Sequence, residues 1–253
     1  MGSKGNKRYL KRLASPGYLQ IQRKNRKAGK FFLKARPGPH PLRFSLPLGH
    51  IFRDLLKLTN NVKETKFILN KRQVFIDGVP RNDIRYPVGL MDVVELKEIN
   101  KAYRVLPSRH HGLILSEITK EEAKFKLCKI MNITTIRGGH LQFNLHDGRN
   151  IRVEIDNPKE KPAIPYKTGG TLKISLPDQQ ILDYFPLQEG NQSLIYQGKN
   201  IGIAGEIKEL TKRFGVNASL AIISGENGEI STSYDYVFII GDNKPAIDLP
   251  LEE

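Results

Sequence analysis

Apolar and polar positions recur along this chain with two different periods. From residue 44 onward, Leu48, Ile51, Phe52, Leu55, Leu56 and Leu58 repeat at helical spacing, in a segment that exposes Arg53, Asp54 and Lys57. This spacing predicts an amphipathic helix whose buried stripe includes Ile51, Leu55 and Leu58. Asn60-Asn61 interrupts it, and Asn61 with Glu64 three residues on is a capping-box-like start for a second helix running to about Asn70. Its exposed face carries Lys63, Lys66 and Lys71. The period then falls to two: Val74 and Ile76 alternate, Asp77-Gly78 supplies a turn, and strand-like material follows at 84–86 and 93–96.

Farther along, Ile114, Glu117 and Ile118 precede a predicted helix over 119–128, capped by Thr119 with Glu121 and Glu122 in its first turn. Strands are predicted near 141–145 and 151–155, joined at Asp147-Gly148, so that the hairpin presents His146, Arg149 and Arg152 at or near its tip. Strand-like runs recur at 172–176, 194–196 and 236–240, and a glycine-spaced run stretches from Gly198 to Ile207. The pattern is that of a multi-domain α+β chain: an N-terminal arm and Pro-rich linker at 1–42, a two-helix plus small β unit at 43–105, a central α+β/β domain at 106–171, a small β domain at 172–226, and a C-terminal segment at 227–253.

Charge sharpens this division. The 253 residues carry 41 Lys+Arg against 26 Asp+Glu, a formal net charge of +15, with a hydrophobic fraction of 39% that suits several small cores better than one large one. The first acidic residue is Asp54, and fourteen lysines and arginines precede it, leaving 27 basic against 26 acidic residues beyond. An uncompensated basic block repels itself and stays unfolded until an anion neutralises it. Tyr9, Tyr18, Phe31 and Phe32 are interleaved with these cations, a mixture that stacks on bases while it meets phosphates, and so suits folded RNA better than an anionic membrane. The single Cys128 excludes an intramolecular disulfide, and no stretch approaches the ~18–20 apolar residues of a membrane helix. The N-terminus lacks a signal-peptide apolar core, and Gly17, Gly29, Pro37, Gly38, Pro39 and Pro41 break any transit-peptide helix, so a soluble intracellular protein is expected.

Catalytic and ligand-binding patterns fail on their particulars. Gly198-Lys199 lacks both ends of a phosphate-binding loop, with Ser193 where the first glycine belongs and Asn200 in place of the hydroxyl residue. Of His40, His50, His110, His111, His140 and His146, none has the helical pairing with Glu that a zinc protease requires, and Cys128 has no second cysteine at finger spacing. Asp54, between Arg53 and Lys57, reads as a carboxylate that orients its neighbouring arginine. No catalytic residue, metal or cofactor is predicted.

Several runs carry a family resemblance: Phe44-Ser-Leu-Pro-Leu to Arg53-Asp-Leu-Leu, Val62-Lys-Glu, Val74-Phe-Ile-Asp-Gly-Val-Pro-Arg81 and Tyr86-Pro-Val-Gly-Leu-Met-Asp-Val-Val94. Together they resemble the S-four RNA-binding domain, in the version found in the archaeal and eukaryotic small-subunit ribosomal protein family S-four-e. The resemblance extends through Pro37-Gly-Pro-His-Pro41, Glu121-Glu-Ala-Lys-Phe-Lys-Leu-Cys-Lys129, His146-Asp-Gly-Arg-Asn150 and Phe238-Ile-Ile-Gly to Lys244-Pro. His146-Asp-Gly-Arg-Asn and the Leu249-Pro-Leu-Glu-Glu ending are closer to the archaeal branch. The run Gly198-Lys-Asn-Ile-Gly-Ile-Ala-Gly-Glu-Ile207 resembles a KOW motif in a small SH3-like β-barrel, although Ile203 stands where the family pattern has a basic residue, and Glu206 follows. That departure leaves a protein-facing or structural role open for this loop.

The resemblance implies a structural constituent of the cytoplasmic small ribosomal subunit that binds ribosomal RNA and neighbouring ribosomal proteins, with no enzyme activity, small-molecule substrate or membrane partner. Other classes are a free RNA-binding regulator and an RNA-modification enzyme carrying an S-four domain. The residues expected to meet RNA are Lys4, Lys7, Arg8, Lys11, Arg12, Arg23, Lys24, Arg26, Lys27 and Lys30 in the arm, then Arg53, Lys57, Lys63, Lys66, Lys71, Arg72, Arg81 and Arg149.

Overall fold

The computed structural model describes residues 9–15, 19, 30–109, 112–155, 165–213, 219–225 and 228–249. Among them the chain is mostly β-sheet, with two short α-helices, and it divides into two compact units at about Ala123.

In the first unit, β1 (Tyr9–Lys11) pairs antiparallel with β2 (Phe31–Leu33), and β3 (Ser45–Pro47) leads into α1 (Leu48–His50), which widens at once into a π-helical turn over Ile51–Leu55. Next come α2 (Val62–Asn70), β4 (Val74–Ile76), β5 (Val79–Pro80), β6 (Pro87–Gly89), β7 (Val93–Leu96), β8 (Lys101–Ser108) and β9 (Gly112–Ile118). β3 pairs with β6, and the larger sheet has the order β5-β4-β7-β8-β9. The β4–β5 turn places both Asp77 and Gly78 at positive φ, the geometry that lets a two-residue hairpin follow the twist of its strands. Asp77 also accepts a hydrogen bond from the Val93 amide at 2.9 Å, tying this turn to β7.

Four expectations change here. Leu55 and Leu58 are 39% and 45% exposed, whereas Ile51 is fully buried. A π turn advances fewer degrees per residue than an α-helix, and Lys57 at φ +53° ends the helix, so neither leucine keeps the predicted stripe. Residues 84–86 form a turn closed by the Tyr86 amide on the Asp83 carbonyl, and the strand begins only at Pro87. The arm is also not wholly an unfolded tail: Phe32, Leu33 and Ala35 are core, and Arg12 is 3% exposed.

The fourth change opens the second unit. In place of a helix over 119–128 there is one 3-10 turn, Glu122–Lys124, and then β10 (Phe125–Thr135). Thr119 does cap, accepting from the Glu122 amide at 3.3 Å, but Lys126 and Lys129 are buried. Both lysines lie in a central strand whose first half is buried on both faces. β11 (Leu141–Leu145), β12 (Asn150–Val153), β13 (Thr171–Ser175) and β14 (Ile181–Phe185) complete a sheet of order β12-β11-β10-β13-β14, packed over Cys128, Ile130, Phe143, Leu145, Leu172 and Ile174.

A second sheet, β18-β17-β16-β15-β19, is built from β15 (Gln192–Ile195), β16 (Ala204–Thr211), β17 (Leu220–Gly225), β18 (Gly228–Ser233) and β19 (Val237–Gly241). Strand pairing therefore does not follow the boundaries expected at 171/172 and 226/227: β13 and β14 pair back to β10, and the two strands after residue 227 belong with β15–β17. Isolated strand patterns carry no information about their partners, which is why the divisions moved. Glycine is required in the glycine-spaced run, since Gly202 has φ +91° and a Cβ on Gly205 would lie 2.1 Å from the Ser224 carbonyl oxygen.

Candidate nucleic-acid interface

The α2 helix has one side fixed and one side free. Asn61 caps it, its side-chain oxygen accepting from the amides of Lys63 at 3.0 Å and Glu64 at 3.2 Å. Glu64 reaches back as expected, although it takes the Asn60 amide (2.8 Å) and the Asn61 side-chain amide (2.8 Å), not the backbone N–H of the cap itself. Inward, Leu69 is fully buried and Thr65 shares a 2.8 Å hydroxyl contact with Thr59. Outward, Lys63 and Lys66 are exposed, and Lys71 follows at the C-terminal end with only an exposed 3.6 Å ion pair to Glu98. Arg72 is exposed at φ +55°, its amide returning to the Leu69 carbonyl, and Lys57 is exposed before the helix. Five of the predicted cations, Lys57, Lys63, Lys66, Lys71 and Arg72, thus flank or occupy one short helix and point away from its core.

Others are turned inward. Arg53 grips Asp54 through Nε (2.9 Å) and Nη2 (2.8 Å), and the same carboxylate receives His50 and, at 3.4 Å, Arg12. Burial alone would raise the Asp54 carboxyl; hydrogen bonds from Arg53 and His50, with their charge, hold it well below the usual carboxylate range. In turn the Asp54 hydrogen bond raises Arg53 further. Asp54 does orient Arg53, and it also fastens the β1 end of the chain to the helical segment. Arg81 lies 4.6 Å over the Tyr86 ring.

On the β1–β2 pair, Lys11 sits opposite Phe31, and Lys11, Lys30, Tyr9 and Phe31 are all exposed, so the predicted mixture of aromatics and cations survives there. Phe32 does not belong to it, being buried edge-on against His50. Lys4, Lys7, Arg8, Arg23, Lys24, Arg26 and Lys27 lie outside the described residues, as do Tyr18, His110 and His111.

In the second unit Arg149 does not project freely from its hairpin but lies 3.2 Å from Asp147, which is itself buried and bonded to Lys126 Nζ at 2.9 Å. Burial would raise the Asp147 carboxyl, but the charges of Lys126, His146 and Arg149 hold it far below the ordinary range. Cys128, His146 and Asp147 converge closely enough to suggest metal ligands. Their carboxylate is already neutralised by two cationic side chains, so the cluster is an ion-pair network. Lys129 is a second buried cation, donating to the carbonyls of Asp235 and Val237 at 2.7 Å each. Burial pushes it down to about 8, partly opposed by the charge of Asp235.

The model described as ribosomal family S4e matches residues 99–181, and that of the RS4NT (NUC023) domain matches residues 4–43. Proteins named small ribosomal subunit protein eS4 are 43% identical over 251 residues in Desulfurococcus amylolyticus (99% of this chain, 98% of the relative) and 43% over 250 residues in Methanocaldococcus jannaschii (98% and 100%). The crystal structure of the 30S ribosomal protein S4e from Thermoplasma acidophilum superposes with a TM-score of 0.65 at 31% identity, covering 78% of this chain and 95% of that one. Fold, charge and matches together define a class, the ribosomal proteins. Because its relatives span it almost end to end, the chain belongs to the S4e family.

Proposed function

We infer that this chain is a structural constituent of the small ribosomal subunit, binding and stabilising folded ribosomal RNA in support of translation. The observation that carries the reading of the surface is α2, capped at its start and buried on its inner side, while Lys63 and Lys66 stand outside it and Lys71, in an exposed pair with Glu98, follows at its end beside Arg72, with Lys57 before it. Ammonium groups carried on an already ordered helix meet phosphates without the backbone having to fold, and release the phosphates' counterions to solvent. The β1–β2 pair adds Lys11 and Lys30. On this reading selectivity comes from RNA shape more than from base edges.

On this reading α1, α2 and the β4–β7 hairpin sheet act as an S-four domain spanning about 43–105, and the sheet of β15 to β19 acts as a KOW-type SH3-like barrel. The partners are small-subunit RNA and adjacent ribosomal proteins in the cytoplasmic ribosome, and no catalytic step is assigned. Ile203 and Glu206 favour a structural or protein-facing role for the glycine loop of the barrel. The test replaces Lys66, Lys71 and Arg72 by Ala in the full chain and measures affinity for a small-subunit RNA transcript at several salt concentrations. Losing three phosphate contacts lowers the slope of log K against log salt by about 2 to 3. An unchanged affinity and slope would remove α2 from the interface.

A further inference from the structure

Phe67 lies outside the core that holds its helix in place. It lies in the middle of α2, two residues from both Thr65 and Leu69, and those two face the core while the Phe67 ring is 65% exposed. A single exposed ring is ordinary on a protein surface, but Phe67 shares a groove with Leu58, 45% exposed, and it is this apolar patch among cations that suits a ligand. Its neighbours suggest what this is. Lys63, Phe67 and Lys71 are spaced i, i+4, i+8 along one stripe, so the ring has an ammonium one turn away on either side. Lys71 Nζ stands 5.0 Å from the ring centroid and also makes an exposed 3.6 Å ion pair with Glu98. Beside the ring runs a shallow groove of about 400 Å³ lined by Leu58, Thr59, Lys63, Glu64 and Ile68.

We propose that Phe67 is a stacking platform for one unpaired base of the RNA, with Lys63 and Lys71 taking the phosphates on either side of that nucleotide. This rests on the reading of α2 as an RNA-facing helix and deepens it, from phosphate contact to capture of a splayed base. Charge complementarity selects the occupant: a flat apolar ring between two cations matches a base between two phosphates, whereas an apolar protein side chain would need acidic neighbours at both ends to do as well. Stacking is tolerant of sequence, since every base has a π-face, so the site fixes position without demanding one particular base.

Full-length Phe67→Leu and Phe67→Trp variants separate stacking from general apolar contact. Binding to the small-subunit RNA transcript is measured across a salt series, with circular dichroism to verify that the exposed position leaves the fold intact. Phe67→Leu weakens binding roughly 5- to 150-fold with the salt slope unchanged, and Phe67→Trp binds at least as well as the parent. Chemical probing of the RNA then shows one base protected by the parent and by Phe67→Trp but open with Phe67→Leu. Parent-like affinity for Phe67→Leu overturns the proposal. If the Lys66, Lys71 and Arg72 triple variant still loses affinity in that case, α2 remains an RNA face without a stacked base; if it does not, the reading of α2 falls as well.

Discussion

Converting Asp147 to Asn tests whether the second unit is held together by its buried charges. Asp147 and Lys126 are each 1% exposed and 2.9 Å apart, and Asp147 also receives Arg149 at 3.2 Å and the Arg149 amide at 3.2 Å. Asparagine keeps the volume and an acceptor but removes the charge, leaving the Lys126 ammonium and part of the Arg149 guanidinium uncompensated inside the sheet. Breaking a buried pair from one side costs about 3–5 kcal/mol. Arg149 reaches solvent and relaxes, which places the expected loss near 3 kcal/mol, or roughly 150-fold in the opening equilibrium. Amide hydrogen exchange of β10 and β11 reads that factor locally, independently of the first unit. The double variant Lys126→Met, Asp147→Asn removes the stranded ammonium as well, and is expected to recover at least half of the loss. A single variant within 1 kcal/mol of the parent, or a double variant no better than the single, would refute the argument that the pair acts as a unit.

Asp54 has its carboxyl depressed in the folded state, so its contribution is complete above the ordinary aspartate range and is lost as pH falls through the folded value; Asp54→Asn is expected to flatten the acid limb of the thermal midpoint against pH, and an unaltered limb would contradict the cluster. Lys129 is pushed down to about 8 from the ordinary 10.5, so the unfolded chain binds more protons between these values, and stability of the second unit rises from about pH 8 to about 10.5. In Lys129→Met that rise disappears in denaturant titrations, and its persistence would mean that another group carries it. Arg12→Ala removes the contact from the β1 end to Asp54, and limited proteolysis is expected to cut near the β1–β2 pair faster than in the parent.

What the sequence made legible was local. The Asn61 cap, the Asp77-Gly78 turn and the β11–β12 hairpin each follow from a few adjacent residues whose preferred geometry survives folding. The Thr119 prediction shows the limit. Its cap is real, but the helix after it is a strand, because Lys126 and Lys129 have partners at Asp147, Asp235 and Val237, far away in the chain. A lysine reads as a surface residue until its counterpart is known, and no window of neighbouring residues contains that information. The partners of Arg12 and Arg149, Asp54 and Asp147, were hidden from a local reading of their cations in the same way. Phe67 escaped notice in the opposite direction, since an apolar residue in a helical pattern reads as core, and only its exposure in the fold separates it from Leu69.

These misreadings have a common consequence for the interface. A formal charge of +15 counts every cation equally, yet Arg12, Arg53, Lys126, Lys129 and Arg149 are engaged with carboxylates or carbonyls of the chain itself. An arginine already forked onto a carboxylate must give up that contact before it can take a phosphate, whereas Lys63 and Lys66 give up only water. On the proposed reading, Lys63 and Lys66 of α2 are therefore available to RNA where Arg12 and Arg53 are not. Alanine substitution should separate the two groups cleanly: at α2 it alters RNA affinity with little change in stability, and at Arg53 or Arg12 it alters stability first. A surface that depended on total charge would instead respond equally to the loss of any of them.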